Sequence, residues 1–119
     1  MNVFQIMTTP VSVTQKGVTV KHLRDKLARK QIHAVPVVED DGTIAGIVSS
    51  SDLSSEHNEE TIVDKIMTTK VHIVMPNNRV EDAAKVMVKH HVHHLVVMEE
   101  GNIVGIVSSL DLLKALVDA

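Results

Sequence analysis

Val20, Leu23 and Leu27 stand three and four residues apart, and Val80, Ala83, Ala84, Met87 and Val88 repeat that spacing further along. Apolar positions so spaced share one face of a helix, so an amphipathic helix is expected around each set. Thr19 is placed to cap the first. For the second, Asn78 is a better cap than Arg79, because a short oxygen-bearing side chain can accept from the first turn's N–H groups. Each helix is followed by an apolar run (Ala34–Val38, Leu95–Met98), a turn with Gly42 or Gly101, and a second run (Ile44–Val48, Ile103–Val107). That order predicts a hairpin with a three-to-five-residue loop. Runs without polar breaks predict strands buried on both faces. Leu112, Leu113 and Leu116 place a last helix over Asp111–Val117 with Ser109 as its N-cap. Thr61 with Asp64 three residues on predicts a short helix before the second half.

The two halves are copies. Ile6-Met7-Thr8-Thr9 returns as Ile66-Met67-Thr68-Thr69, and Gly46-Ile47-Val48-Ser49-Ser50 returns as Gly105-Ile106-Val107-Ser108-Ser109. The shift drops from sixty to fifty-nine because Asp41 is inserted in a loop; aligned so, residues 6–53 and 66–112 share 18 identities in 47 pairs. The expected organisation is a unit over 1–53, a polar linker over 54–60 and a second unit over 61–119. Each is an α+β unit of about sixty residues, marginal alone, so the copies are expected to pack about a pseudo-twofold axis.

Composition narrows the function. Twelve Lys and Arg against fifteen Asp and Glu give a net charge of −3, with one Phe and no Trp or Tyr. A duplex-binding basic footprint and the aromatic platforms that stack single-stranded bases are both missing, which argues against nucleic acid. The 119 residues contain no cysteine, which removes disulfides, thiolate metal sites and cysteine nucleophiles. No apolar run reaches membrane-spanning length and no signal peptide opens the chain, so a soluble cytoplasmic protein is expected.

In order and spacing the repeated motifs resemble a tandem pair of cystathionine-β-synthase (CBS) domains, often called a Bateman module. The carriers are Ile-Met-Thr at each start, Ile32-His33-Ala34-Val35-Pro36-Val37 and Val92-His93-His94-Leu95-Val96-Val97 in mid-copy, and Gly-Ile-Val-Ser-x-x-Asp-Leu near each end. The resemblance covers essentially the full chain. It implies β-α-β-β-α units packed in pairs, a frequent dimer of pairs, and adenosine-containing ligands held in clefts between the copies. It implies no obligatory cofactor and an unidentified effector protein as a further partner.

The chemistry of Ser49 with Asp52 and of Ser108 with Asp111 suits a nucleotide. A carboxylate accepts two hydrogen bonds from a ribose cis-diol, and a hydroxyl near a helix N-terminus reaches phosphate. The same residues also suit simple helix capping, and the two roles are compatible. The resemblance implies one site from Ile47, Ser49 and Asp52 with Thr68, Val71, Val92, His93 and His94. Its mirror joins Ile106, Ser108 and Asp111 with Thr8, Val11, Ile32, His33 and Ala34. Val11, Ile32, Val71 and Val92 read more readily as core than as ligand contacts.

Relatives that hold phosphate tightly often carry Arg where His94 stands, and the mirror position is Ala34. The sites are thus expected to be unequal, with the Asp52 site favoured by phosphorylated ligands as His94 gains its proton. The residues do not choose among AMP, ADP, ATP, S-adenosylmethionine, NAD and a nucleic acid. Two alternatives come from other classes. One is a structural or interaction module with empty clefts. The other is a metal-binding protein built on His90, His91, His93 and His94, against which these residues straddle a helix end and a strand start, with no carboxylate among them. Ser49-Ser50-Ser51 lacks a Gly-x-Ser-x-Gly elbow, so no enzyme is expected.

Overall fold

A computed structural model describes residues 1–56 and 58–118. His57, within the predicted linker, and Ala119 lie outside the described residues. The chain forms two compact units: a contiguous one, Ser12–Val71, and a split one that joins Met1–Val11 to His72–Ala119. The sequence repeat and the compact units therefore divide the chain at different places. Each unit takes its opening segment from the other copy.

In the contiguous unit, β1 (Thr14–Gln15) pairs parallel to β2 (Ala34–Val38), and β2 pairs antiparallel to β3 (Ile44–Ser49). The helix α1 (Val20–Lys30) starts where expected: the Thr19 hydroxyl accepts from the His22 N–H at 3.1 Å. It ends on Gln31 in the left-handed conformation. Val20, Leu23 and Leu27 bury its apolar face against Val35, Val37 and Val48, and Leu53 of α2 (Ser50–Ser54) and Val63 close this core. The short helix predicted from Thr61 and Asp64 is a 3-10 turn, Val63–Lys65, with Ile62 at its N-cap.

The split unit repeats the plan. Here β4 (Ile73–Val74) runs parallel to β5 (His94–Glu99), which pairs antiparallel to β6 (Asn102–Ser108). The helices are α3 (Val80–His90) and α4 (Ser109–Asp118). Val3 comes in from the N-terminal segment and is fully buried among Val74, Ala83, Met87, Leu95, Val97 and Val107. Its N–H donates to the Asn78 carbonyl, and Val80 N–H donates to Met1 O.

Three further local expectations change. Arg79, not Asn78, is the N-cap of α3. Its N–H donates to the Asp82 carboxylate, while the Asn78 side chain accepts from Met75 N–H at 2.7 Å and shapes the turn before the helix. Ser109 lies inside α4, and Ser108 supplies the capping hydroxyl, accepting from Asp111 N–H at 3.1 Å. Burial on both faces holds for the central strands β2 and β5, whereas β3 and β6 alternate buried with half-buried positions as outer strands do.

Candidate functional site

Each outer strand ends in the same hook. In the contiguous unit, β3 delivers Ser49 in extended conformation (φ −108°, ψ 165°) directly into α2. The Asp52 carboxylate folds back to accept from Ser49 N–H at 2.8 Å and from the Ser49 hydroxyl at 3.0 Å. In the split unit, Ser108 N–H donates to Asp111 Oδ2 at 2.8 Å. Both Ser and Asp side chains are half-buried, so the carboxylates are positioned by the backbone yet open to solvent. This geometry is a reciprocal cap. The second carboxylate oxygen makes no hydrogen bond among the described residues in either copy.

The Thr of each Ile-Met-Thr motif lies beside a hook. Thr68 and Ile47 exchange both backbone hydrogen bonds (2.9 and 3.0 Å), and Thr8 and Ile106 do the same (2.8 and 3.3 Å). Glycine makes this approach possible. A Cβ on Gly46 would stand 2.7 Å from Thr68 O and 2.8 Å from Met67 Sδ; on Gly105 it would meet Met7 Sδ at 2.7 Å and Thr8 O at 3.1 Å. The fixed shift between copies therefore carries a steric requirement that motif reading alone did not reveal.

The remaining candidates distribute by register. Ala34 lies opposite Ser49, and His94 lies opposite Ser108. The carbonyls of His33 and His93 accept from Ser50 N–H (2.8 Å) and Ser109 N–H (2.9 Å), so both exposed histidines flank a hook. Ile32 and Val92 pack against the cores of their units, in keeping with their reading as core residues. Val11 and Val71 are half-buried at the ends of the two opening segments. Thus the contiguous unit holds Ile32, His33, Ala34, Ile47, Ser49, Asp52, Thr68 and Val71. The split unit holds Thr8, Val11, Val92, His93, His94, Ile106, Ser108 and Asp111.

One neighbour escaped the sequence reading. Ser51 Oγ lies 2.9 Å from Ser49 Oγ. The signal was available: the aligned position in the other copy is Leu110.

Four charged groups on other parts of the two units have displaced pKa values. The Glu39 carboxylate, bonded at 2.9 Å, raises Lys16 above the usual lysine range, first through the hydrogen bond and then through its charge. Burial, followed by the charges of Lys30 and Arg29, lowers Lys26. Hydrogen bonds from Thr43 lower Asp41, and the Arg79 guanidinium lowers Glu81. Among the described residues no group of three or more His, Asp or Glu side chains is placed to hold a metal ion. The His90 ring stacks on His72 at 4.1 Å, and His91 ends α3 in left-handed conformation. No helix among the described residues is long and apolar enough to cross a membrane.

The CBS-domain family model matches residues 3–58 and again 63–118, so the chain belongs to the CBS-domain family and carries the domain twice. Protein MJ1426 of Methanocaldococcus jannaschii is 31% identical, over 98% of this chain and 92% of its own. CBS domain-containing protein YhcV of Bacillus subtilis is 29% identical, over 89% and 79%. Among solved structures, a protein with CBS domains from Burkholderia ambifaria superposes with a TM-score of 0.91 at 29% identity, covering 99% of this chain and 95% of that one. The CBS domain pair of protein MJ0100, solved with methylthioadenosine and S-adenosylmethionine, gives 0.90 at 23% identity, covering 99% and 97%. CBSX2 in complex with AMP gives 0.82 at 24%, covering 98% and 96%. At those two identities the likeness is one of fold. The α+β architecture and the tandem CBS pair expected from sequence are thereby shown.

Proposed function

We propose that this chain is a regulatory module, not an enzyme, that binds adenosine-containing ligands such as AMP, ADP, ATP or S-adenosylmethionine. The observation that carries the reading is the duplicated hook. In each unit an outer strand ends in Ser-x-x-Asp, braced from the side by the Thr of an Ile-Met-Thr segment. Asp52 and Asp111 accept the ribose hydroxyls, and Ser49 and Ser108 face ribose or phosphate. Thr8 and Thr68 border the ligand, and the half-buried Ile47, Ile106, Val11 and Val71 supply apolar surface for the base in place of aromatics. Adenosine ligands in the MJ0100 pair and in CBSX2 support the class of molecule. Isothermal titration with AMP, ADP, ATP and S-adenosylmethionine tests it. Asp52→Ala and Asp111→Ala are each expected to cost about 1.5–3 kcal/mol of binding, the scale of hydrogen bonds to a charged group. Undiminished binding by the double variant would refute the assignment.

The same reading takes the module as a cytoplasmic homodimer. Val88, Leu113 and Leu116 are 57–75% exposed and line a cavity of about 550 Å³ between α3 and α4. An apolar patch of this kind marks an interface, and a second copy is its simplest occupant. Light scattering is expected to give twice the 13.0 kDa chain mass, and a value of one chain at micromolar concentration would overturn the dimer.

A further inference from the structure

Two hooks with the same Ser and Asp differ in where one proton goes. In the contiguous unit the Ser49 hydroxyl lies 3.0 Å from Asp52 Oδ2. An ionised carboxylate only accepts, so Ser49 is the donor there. Its oxygen must then be the acceptor in the 2.9 Å contact with Ser51, whose hydroxyl donates to it. Asp52 N–H approaches the same oxygen at 3.4 Å. Ser49 is thus fully engaged inside the protein, and Asp52 Oδ2 already accepts twice. In the split unit Leu110 takes the place of Ser51 and has no donor to offer. Ser108 accepts from Asp111 N–H at 3.1 Å, and its own proton goes to no acceptor among the described residues. Asp111 Oδ2 accepts there from Ser108 N–H alone.

We infer that the two sites fill in order, the Ser108–Asp111 site first and more tightly, and that Ser51 is the residue that weakens the Ser49–Asp52 site by tying up its hydroxyl. This ranking rests on the ligand-binding reading above. The split unit offers a ligand a ready hydroxyl donor and a carboxylate with one fewer competitor. The contiguous unit must first break Ser49 from Asp52. The ranking runs against the one expected from His94 alone, and the register sets His94 across from Ser108, at the favoured hook. Within the Gly-Ile-Val-Ser-Ser-x-Asp-Leu motif the one position that differs between copies, Ser51 against Leu110, is the specificity device. Both positions are exposed, so either can be exchanged without touching a core.

Titration calorimetry of the full chain with adenosine and with AMP tests this, with thermal unfolding to confirm that each variant is folded. Asp111→Asn is expected to remove the tighter event and Asp52→Asn the weaker. Leu110→Ser, which installs the tie, is expected to weaken the tighter event about three- to ten-fold, the range one neutral hydrogen bond commands. Ser51→Leu, which removes the tie, is expected to tighten the weaker event by a similar factor. Loss of the tighter event in Asp52→Asn overturns the ranking while leaving the ligand-binding reading intact. So do two folded swap variants whose constants both stay within about two-fold of wild type. A folded wild-type chain that binds neither probe overturns the ligand-binding reading itself and the ranking with it.

Discussion

The contiguous and split units are built from the same repeat, yet they finish the groove between their two helices in opposite ways. In the contiguous unit Arg24 reaches across the end of α2. One guanidinium nitrogen donates to Leu53 O at 2.9 Å and Glu56 O at 3.1 Å, and another meets Glu59 at 3.2 Å. These carbonyls belong to the last turn of a five-residue helix and the residues just past it, where intrahelical donors run out. In the split unit the aligned residue is Ala84. Among the described residues no guanidinium closes the helix end; α4 runs ten residues, and the groove is walled largely by apolar side chains, Ala84, Met87, Leu112 and Leu116 among them. Both helix pairs keep a groove, about 410 Å³ in the contiguous unit, but Arg24, Gln31, His33 and Ser50 make that one partly polar while the other is mostly apolar. At this aligned position one copy places a charged donor on its helix end and the other a methyl group on an apolar wall.

The largest effect that can break this comparison lies in the helix cores. Leu23 is fully buried where the other copy has the fully buried Ala83. Leu23→Ala is expected to cost about 2–5 kcal/mol in chemical denaturation, because the neighbouring valines cannot refill the volume. If the contiguous unit tolerated alanine as the split unit does, the loss would be under about 1 kcal/mol and the two cores would be interchangeable.

Next come the two glycines. Gly46→Ala is expected to cost about 1–3 kcal/mol, since its new methyl would meet the Thr68 carbonyl, a backbone atom fixed by the hydrogen bond it accepts from Ile47 N–H. Gly105→Ala is expected to cost less, because the nearest atom is the flexible Met7 thioether. Equal losses of melting temperature would show that backbone and side-chain obstacles are equivalent here.

Arg24→Ala is expected to cost about 1–2 kcal/mol, as two part-buried carbonyls lose a charged donor. Faster amide exchange should be confined to α2 and the residues after it. Ala84→Arg in the split unit is expected to give no matching gain, because α4 has no helix end at that place.

The smallest effect belongs to the hairpin where the copies differ in length. Asp41, the inserted residue, accepts from Thr43 N–H at 3.0 Å and from its hydroxyl at 2.7 Å. These bonds hold its carboxyl below the ordinary value of 3.8. A depressed folded value means the contribution is complete above the unfolded pKa and fades as pH falls through the folded one. The melting temperatures of wild type and Asp41→Ala should differ slightly at pH 6 and converge toward pH 2. A gap that widens in acid would reverse the sign.

Helices α1 and α3 and both hairpins were legible because period and turn chemistry are local. The capping roles of Asn78 and Ser109 were misassigned by one residue each, since the side chain that wins depends on where the incoming strand or turn points. β1 and β4, at two residues each, show no period and follow only from the family resemblance. The Ser and Asp candidates stand out by their repetition and chemistry, and Thr8 and Thr68 follow from the family resemblance. Their bracing was not legible, because Thr68 meets Ile47, and Thr8 meets Ile106, only once the chain is folded. Gly46 and Gly105 were visible as repeated letters, and only the close approach explains them.

That exchange of opening segments sets an order of events during synthesis. Ser12–Val71 is one unbroken stretch, so everything it needs exists once Val71 is made. Residues 1–11 are made earlier still, yet the partner of Thr8 is Ile106, nearly a hundred residues downstream. At a synthesis rate of roughly 5–20 residues per second, that partner arrives about 5–20 s later. Through that interval Val3, which ends fully buried, has no core to enter. Residues 1–11 thus wait for partners made long after them.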